Sequence, residues 1–291
     1  MDLRFVNQKG GSINLVDNDY FYLVDVDGQT NATANISSVV QSGTDGDNVV
    51  NIQVQPRTIV LDLRIKSGID VEIAKRYILN VFKIKKTGSL IWTQNNKTVT
   101  ISGIVESVDM PRWNNAVAMQ ISLHCEQPFW EDVEDVLQEI SEAINLHYFT
   151  DIHNDMLIFP DSAGIAFGEY DLTRTREFTN KGDVAVGMDI EIIAYATVTN
   201  PIIRDDNGNF FGVGYGTGNK QVKMSIGDVI RISTHKGKKS IYLNDTSIIS
   251  KIKPKSTWLQ LEAGENTFTI NSDDDSTNNM TFTLTFKQRY I

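Results

Sequence analysis

A strict two-residue alternation of apolar and polar side chains, recurring near both ends of the chain, limits what it can fold into more than any other feature. In 58–66, Ile59, Leu61, Leu63 and Ile65 fall on one side and Val60, Asp62, Arg64 and Lys66 on the other. In 280–286, Met280, Phe282, Leu284 and Phe286 alternate with Thr281, Thr283 and Thr285. Successive side chains of an extended backbone point to opposite faces, so this period predicts half-buried strands. Runs at 98–108 and 115–124 read the same way, the second aligning Val117, Met119, Ile121 and Leu123. From about 148 onward helical periodicity disappears and turn signals come at the short spacings of an all-β sandwich or barrel. Asn207-Gly208 and Lys236-Gly237 suit hairpin turns with positive φ, and Asp45-Gly46-Asp47-Asn48 and Asp273–Asn279 read as exposed loops. Burying the four large side chains of the last strand, at about 1.5–3 kcal/mol each, anchors the C-terminal end in a core.

Two segments break this period. Val71, Ala74, Ile78, Val81 and Phe82 recur at helical spacing, with Asp70 placed to cap the first turn, Lys83, Lys85 and Lys86 at the negative end of the dipole and Gly88 as the stop. Val133, Val136, Leu137, Ile140, Ala143 and Ile144 form a second stripe, flanked by Glu131, Asp132, Glu134, Asp135, Glu139 and Glu142. That pattern predicts an acidic amphipathic helix over 131–147. The expected organisation is mainly β: an α+β N-terminal domain over 1–130 with one packed helix, the linker helix at 131–147, and a β-sandwich over 148–291.

No constellation for chemistry emerges. His124, His147, His153 and His235 are dispersed, and the nearest approach to a cluster, His147 and His153 with Asp151 and Asp155, lacks the spacing of a zinc site. Cys125 is the single cysteine, so there is no internal disulfide, and its place at the end of an alternating strand reads as a buried thiol. The glycines of 211–218 run into strand-like Gln221-Val222-Lys223-Met224 rather than the helix a dinucleotide site requires. Asp25, Asp27 and Gly28, and Asp205, Asp206, Asn207 and Gly208, offer oxygen ligands for calcium but fit ordinary turns, without the twelve-residue loop pattern. Trp258, Tyr215, Phe210 and Phe211 read as core, with a sugar-stacking platform as the competing use. No catalytic, cofactor-binding or metal residue is therefore assigned, and the chain is not expected to be an enzyme. A net charge of −10 opposes nucleic-acid binding. No stretch approaches the roughly 20 apolar residues of a membrane span, and Met1–Gln8 lacks a signal-peptide pattern.

The order of short motifs along the chain carries a resemblance. Thr179-Asn180-Lys181-Gly182-Asp183, Ser225–Thr234 and Leu261–Ile270 are turn-then-strand units. Upstream stand a helix at 70–82, the turn Lys86-Thr87-Gly88-Ser89-Leu90, the strand Ile101–Val105, and Cys125-Glu126-Gln127-Pro128-Phe129-Trp130 after a strand. This series resembles the phage distal tail protein family, whose relatives occur in contractile phages and phage-tail-like bacteriocins. The resemblance implies a structural virion protein at the distal tail or baseplate, made in the bacterial host's cytoplasm. It further implies a homo-hexameric ring of N-terminal domains bearing galectin-like or carbohydrate-module-like sandwiches. Implied partners are the tail tube protein, the hub or tail-associated lysin, and receptor-binding proteins. The alternative function is an adhesion protein whose sandwich grips cell-wall carbohydrate. For a ring, the lysines and arginine near the first helix (Lys75, Arg76, Lys83, Lys85, Lys86) and the acidic 131–142 stretch are expected, as surfaces of opposite charge, to help orient neighbouring subunits or the tube.

Overall fold

The computed structural model describes residues 2–30, 32–43, 45–109, 118–139, 143–144, 152–153, 156–157, 169–170, 175–274 and 279–291. The chain divides into two compact units, one made of residues 1–134 with 289–291, the other of 135–288.

Unit 1 contains β1 (Asp2–Asn7), β2 (Ser12–Asn14), β3 (Phe21–Asp27), β4 (Ala34–Val39), β5 (Asn48–Val54), β6 (Arg57–Ile65), α1 (Val71–Val81), β7 (Thr87–Gln94), β8 (Lys97–Asp109), β9 (Ala118–Cys125) and β10 (Trp130–Asp132). Its main sheet runs β2-β1-β7-β8-β9-β6-β3, antiparallel throughout. The alternation at 58–66 becomes β6, where Ile59, Leu61 and Leu63 are buried against Phe21, Met119, Ile121 and Leu123. The helix forms where its spacing predicts. Asp70 Oδ1 accepts from the amides of Glu72 and Ile73, and Ala74, Ile78 and Val81 turn inward.

Gly88 does not stop that helix, which ends at Val81, six residues before β7 begins. Gly88 lies inside β7, paired with Gly103 of β8. A Cβ on Gly88 would fall 2.2 Å from the Phe5 ring. The glycine thus makes room for Phe5 to stack on Phe82 with centroids 4.2 Å apart, locking β1 to the chain leaving α1.

Unit 2 begins with β11 (Val136–Glu139). The short pairs β12 (Ala143–Ile144) with β15 (Glu169–Tyr170), and β13 (Ile152–His153) with β14 (Met156–Leu157), follow. Then come β16 (Thr175–Asn180), β17 (Asp189–Ala194), β18 (Val198–Thr199), β19 (Pro201–Asp205), β20 (Phe210–Gly212), β21 (Lys223–Met224), β22 (Val229–Ser233), β23 (Ser240–Leu243), β24 (Thr246–Ser247), β25 (Gly264–Ser272) and β26 (Met280–Phe286). One sheet runs β11-β26-β17-β22-β23-β24 and the other β16-β25-β19-β20. They form a sandwich around one core, in which Phe178 of β16 meets Phe268 of β25 at 5.7 Å and Phe282 of β26 at 6.1 Å. The last strand, β27 (Arg289–Tyr290), belongs to unit 1 and pairs with β10.

The acidic stretch is not a helix where it is described. Residues 130–132 pair with β8 and β27, and 136–139 pair with β26 at the edge of the sandwich. Unsatisfied sheet edges accept these short segments, and the chain's own cations take up their acids. Glu131 binds Arg289 at 2.7 Å, Asp132 accepts from the Tyr290 hydroxyl at 3.0 Å, and Asp135 lies 3.8 Å from Lys287. Tertiary pairing overrides the local helical period. The expected boundaries at 130 and 148 therefore differ from those of the compact units. No described helix is long and apolar enough to cross a membrane.

Cys125 is fully buried, as its strand position predicts. Burial pushes its thiol up from 9.0 to about 11, opposed by the nearby Arg57 guanidinium. Between these values the unfolded thiol ionises while the folded one keeps its proton, so stability falls as pH rises from 9 to about 11. The urea midpoint should drop across that window in the native protein by the equivalent of about 1–3 kcal/mol, and Cys125→Ala should remove this slope; equal slopes would refute the assignment. In the sandwich, Phe282→Ala should cost about 3–5 kcal/mol in unfolding free energy. A loss under about 1 kcal/mol in denaturant titration would mean that the ring does not hold the two layers together.

Candidate assembly site

The most exposed described element of unit 1 is the hairpin of β4 and β5, which pairs with no other strand among the described residues. Ala34 faces Val54 and Ile36 faces Ile52 on one side, while Asn35 faces Gln53 and Ser37 faces Asn51 on the other. Opposed residues share a face, so the ribbon is apolar on one side and polar on the other. Ile36 and Ile52 are 59% and 65% exposed, and Val39, Val40, Val49 and Val50 are also open to solvent. A shift of register between Ser37 and Ser38 makes Val50 a bulge. Asp45 and Asp47, both in the connecting turn, are the only charged residues in 31–54.

An isolated two-stranded ribbon is marginal in water, so its root matters. Gly28 turns the chain out of β3 at φ 75°, where a Cβ would lie 2.1 Å from the Thr58 carbonyl. The next residue, Gln29, accepts at its carbonyl from Arg57 Nη1 at 2.8 Å and from Trp130 Nε1 at 3.0 Å. Thr33 accepts from the Gln55 amide at 2.8 Å and closes the base. Arg57 is itself 4% exposed, and burial lowers its pKa. The hairpin is therefore held rigidly at its base and bare along its length. Covering the three large exposed aliphatic side chains of the apolar face, Ile36, Ile52 and Val49, at about 1.5–3 kcal/mol each when fully buried, matches the order of the association cost.

The sheet edge beside it is treated differently. In β3, Val24 bulges out and Asp25 and Asp27 place charges on the strand, devices that discourage indiscriminate edge pairing. Lys83, Lys85 and Lys86 are exposed after α1, and Lys75 pairs with Glu72 at 3.9 Å. Of their expected acidic counterpart over 131–142, Glu131, Asp132 and Asp135 are engaged by Arg289, Tyr290 and Lys287, Glu134 is exposed, and the side chains of Glu139 and Glu142 lie outside the described residues.

The residues considered for chemistry are not brought together. Among the described residues no three His, Cys, Asp or Glu side chains are grouped to hold a metal. Asp205 accepts from the Asn209 amide at 2.7 Å and from Asn209 Nδ2 at 2.8 Å, which occupies it within its turn. Asp25 and Asp27 accept from the following amides, those of Val26 and Gly28. His147, Asp151 and Asp155 lie outside the described residues. The glycine-rich run continues β20 and ends in a three-residue 3₁₀ turn at Gly218–Lys220. Phe211 is buried in the sandwich core with Trp258 against it at 4.8 Å, while Lys239 covers Trp258 at 5.3 Å and Arg204 covers Phe210 at 5.1 Å. These aromatics do not make an open stacking platform. Sequence reasoning saw the hairpin only as an exposed loop at 45–48; the missed signal was the chargeless Ile/Val alternation with Asn, Ser and Gln on both sides of that loop.

Two family models match the chain. Residues 8–125 match the phage tail protein RIFT-related domain, and residues 181–290 match the siphovirus-type tail component, C-terminal domain. No curated protein matches the sequence. Among solved structures, the chain is similar to the Dit protein (gp 19.1) of SPP1, described as a paradigm of the hub adsorption apparatus in phages infecting Gram-positive hosts. That likeness has a TM-score of 0.66 at 13% identity and covers 99% of both chains. A weaker likeness, TM-score 0.46 at 10% identity over 99% of this chain and 97% of the other, is to the phage P2 baseplate in its activated conformation. With both units matched by tail-protein models in the expected order, the chain belongs to the phage distal tail and baseplate hub family and is a structural component of the virion tail.

Proposed function

We propose that the protein closes into a ring of identical subunits, six in number, at the distal end of the tail tube, joining the tube to the hub and receptor-binding apparatus. The observation that carries this reading is the β4–β5 hairpin, firmly rooted, apolar on one face and paired with no other strand among the described residues. A hairpin and the surface that accepts it are different patches. Such heterologous contacts close into rings when the rotation between neighbours divides a circle. The sixfold number follows the family resemblance, and the tube protein, hub or lysin, and receptor-binding proteins are the partners assigned to the two faces.

The test is the particle mass. Native mass spectrometry of the intact chain should give six copies. Replacing 34–54 by a short Gly-Ser bridge should give monomers with the circular dichroism and melting of the parent, because no described side chain of the bridged stretch is buried. A parent that stays monomeric at high concentration sinks the ring reading.

A further inference from the structure

Unit 1 carries a cleft of about 510 Å³ lined by Trp92, Lys97, Val99, Trp130, Tyr290 and Ile291, with Gln29, Thr30, Gln94 and Asn95 completing its wall. Four stretches distant in sequence converge there: the hairpin root, the β7–β8 turn, β10 and the C-terminal strand. The lining is mostly aromatic, with Trp92 and Trp130 edge to face at 5.8 Å. Trp92 Nε1 is buried and has no acceptor among the described residues. A buried donor of this kind calls for an acceptor such as a peptide carbonyl. Lys97, whose ammonium lies 3.1 Å from the Tyr290 ring centroid, is the only charged side chain in the lining.

The geometry points to the hairpin turn of a second copy as the occupant of this cleft, with Val39 and Val40 against the aromatic wall and Asp45 or Asp47 at Lys97. This rests on the ring reading above and names the surface that receives the hairpin. The match is chemical on two counts. Val40, at 75% exposed, is among the most exposed apolar side chains of the chain and needs cover. The two aspartates are the hairpin's only charges and Lys97 is the lining's only charged side chain. The reach excludes the hairpin's own cleft: β4 leaves the cleft wall at Thr30 and extends six residues beyond Thr33, which carries the turn about 20 Å away at about 3.3 Å per residue.

Charge reversal tests the pairing. Lys97→Glu, and Asp45→Lys with Asp47→Lys, should each weaken subunit association about tenfold or more in sedimentation equilibrium, and all three together should restore most of it. All three positions are exposed, so circular dichroism should match the parent in every variant. A combination no better than the worse half, or halves that assemble like the parent, overturns the pairing. A second test joins Val40→Cys to Gln94→Cys; the native Cys125 is buried and does not compete. Oxidation should link chains into a ladder ending at the ring. If the parent forms a ring but this cysteine pair links within one chain, or not at all, the cleft assignment falls and the ring reading stands. A monomeric parent overturns both.

Discussion

One backbone carbonyl, that of Gln29, holds together the parts of unit 1 on which its role depends. It accepts from Arg57 at the start of β6 and from Trp130 in β10. The first bond fixes where the hairpin leaves the sheet, and the second fixes the aromatic wall of the cleft. Buried side-chain donors on a single acceptor are strong because water cannot compete for it. Arg57 also explains the neighbourhood of Cys125: the strands pair Arg57 with Cys125, so a cation and a thiol share the same dry space and burial disfavours charge on both.

The same region shows how the chain uses its last residues. β27 adds Arg289 and Tyr290 to β10 in unit 1, although the strand that precedes it in sequence belongs to unit 2. Arg289 satisfies Glu131 through two nitrogens on one carboxylate oxygen, and the Tyr290 hydroxyl satisfies Asp132. Acids that look like a solvated helix face are thus the inward partners of a strand from the other end of the chain. A charged surface available for neighbours is correspondingly smaller, and the apolar hairpin carries more of the argument for assembly.

Much of the architecture was legible. The alternations at 58–66 and 280–286, the capped helix after Asp70 and the turn glycines at 208 and 237 all stand where local physics puts them, because one face of each element is buried and the period records it. The segment after Trp130 was misread for the opposite reason: its apolar spacing fits a helix, and only the presence of open edges on β8 and β26 makes it strand. Gly88 was read as punctuation, whereas its role is to admit Phe5 from a strand more than eighty residues away.

By itself the sequence determined the type of most elements, the helix after Asp70, the hairpin turns, the buried thiol and the order of motifs that marks a tail protein, since each of these follows from interactions between near neighbours in the chain. Tertiary structure alone decided which strands meet, where the C-terminal residues return, that no other described strand pairs with the hairpin, and that residues near 29, 92–99, 130 and 290 build one cleft. Those outcomes depend on contacts closed across long loops, and a contact of that kind leaves no periodic trace in either of the segments that make it.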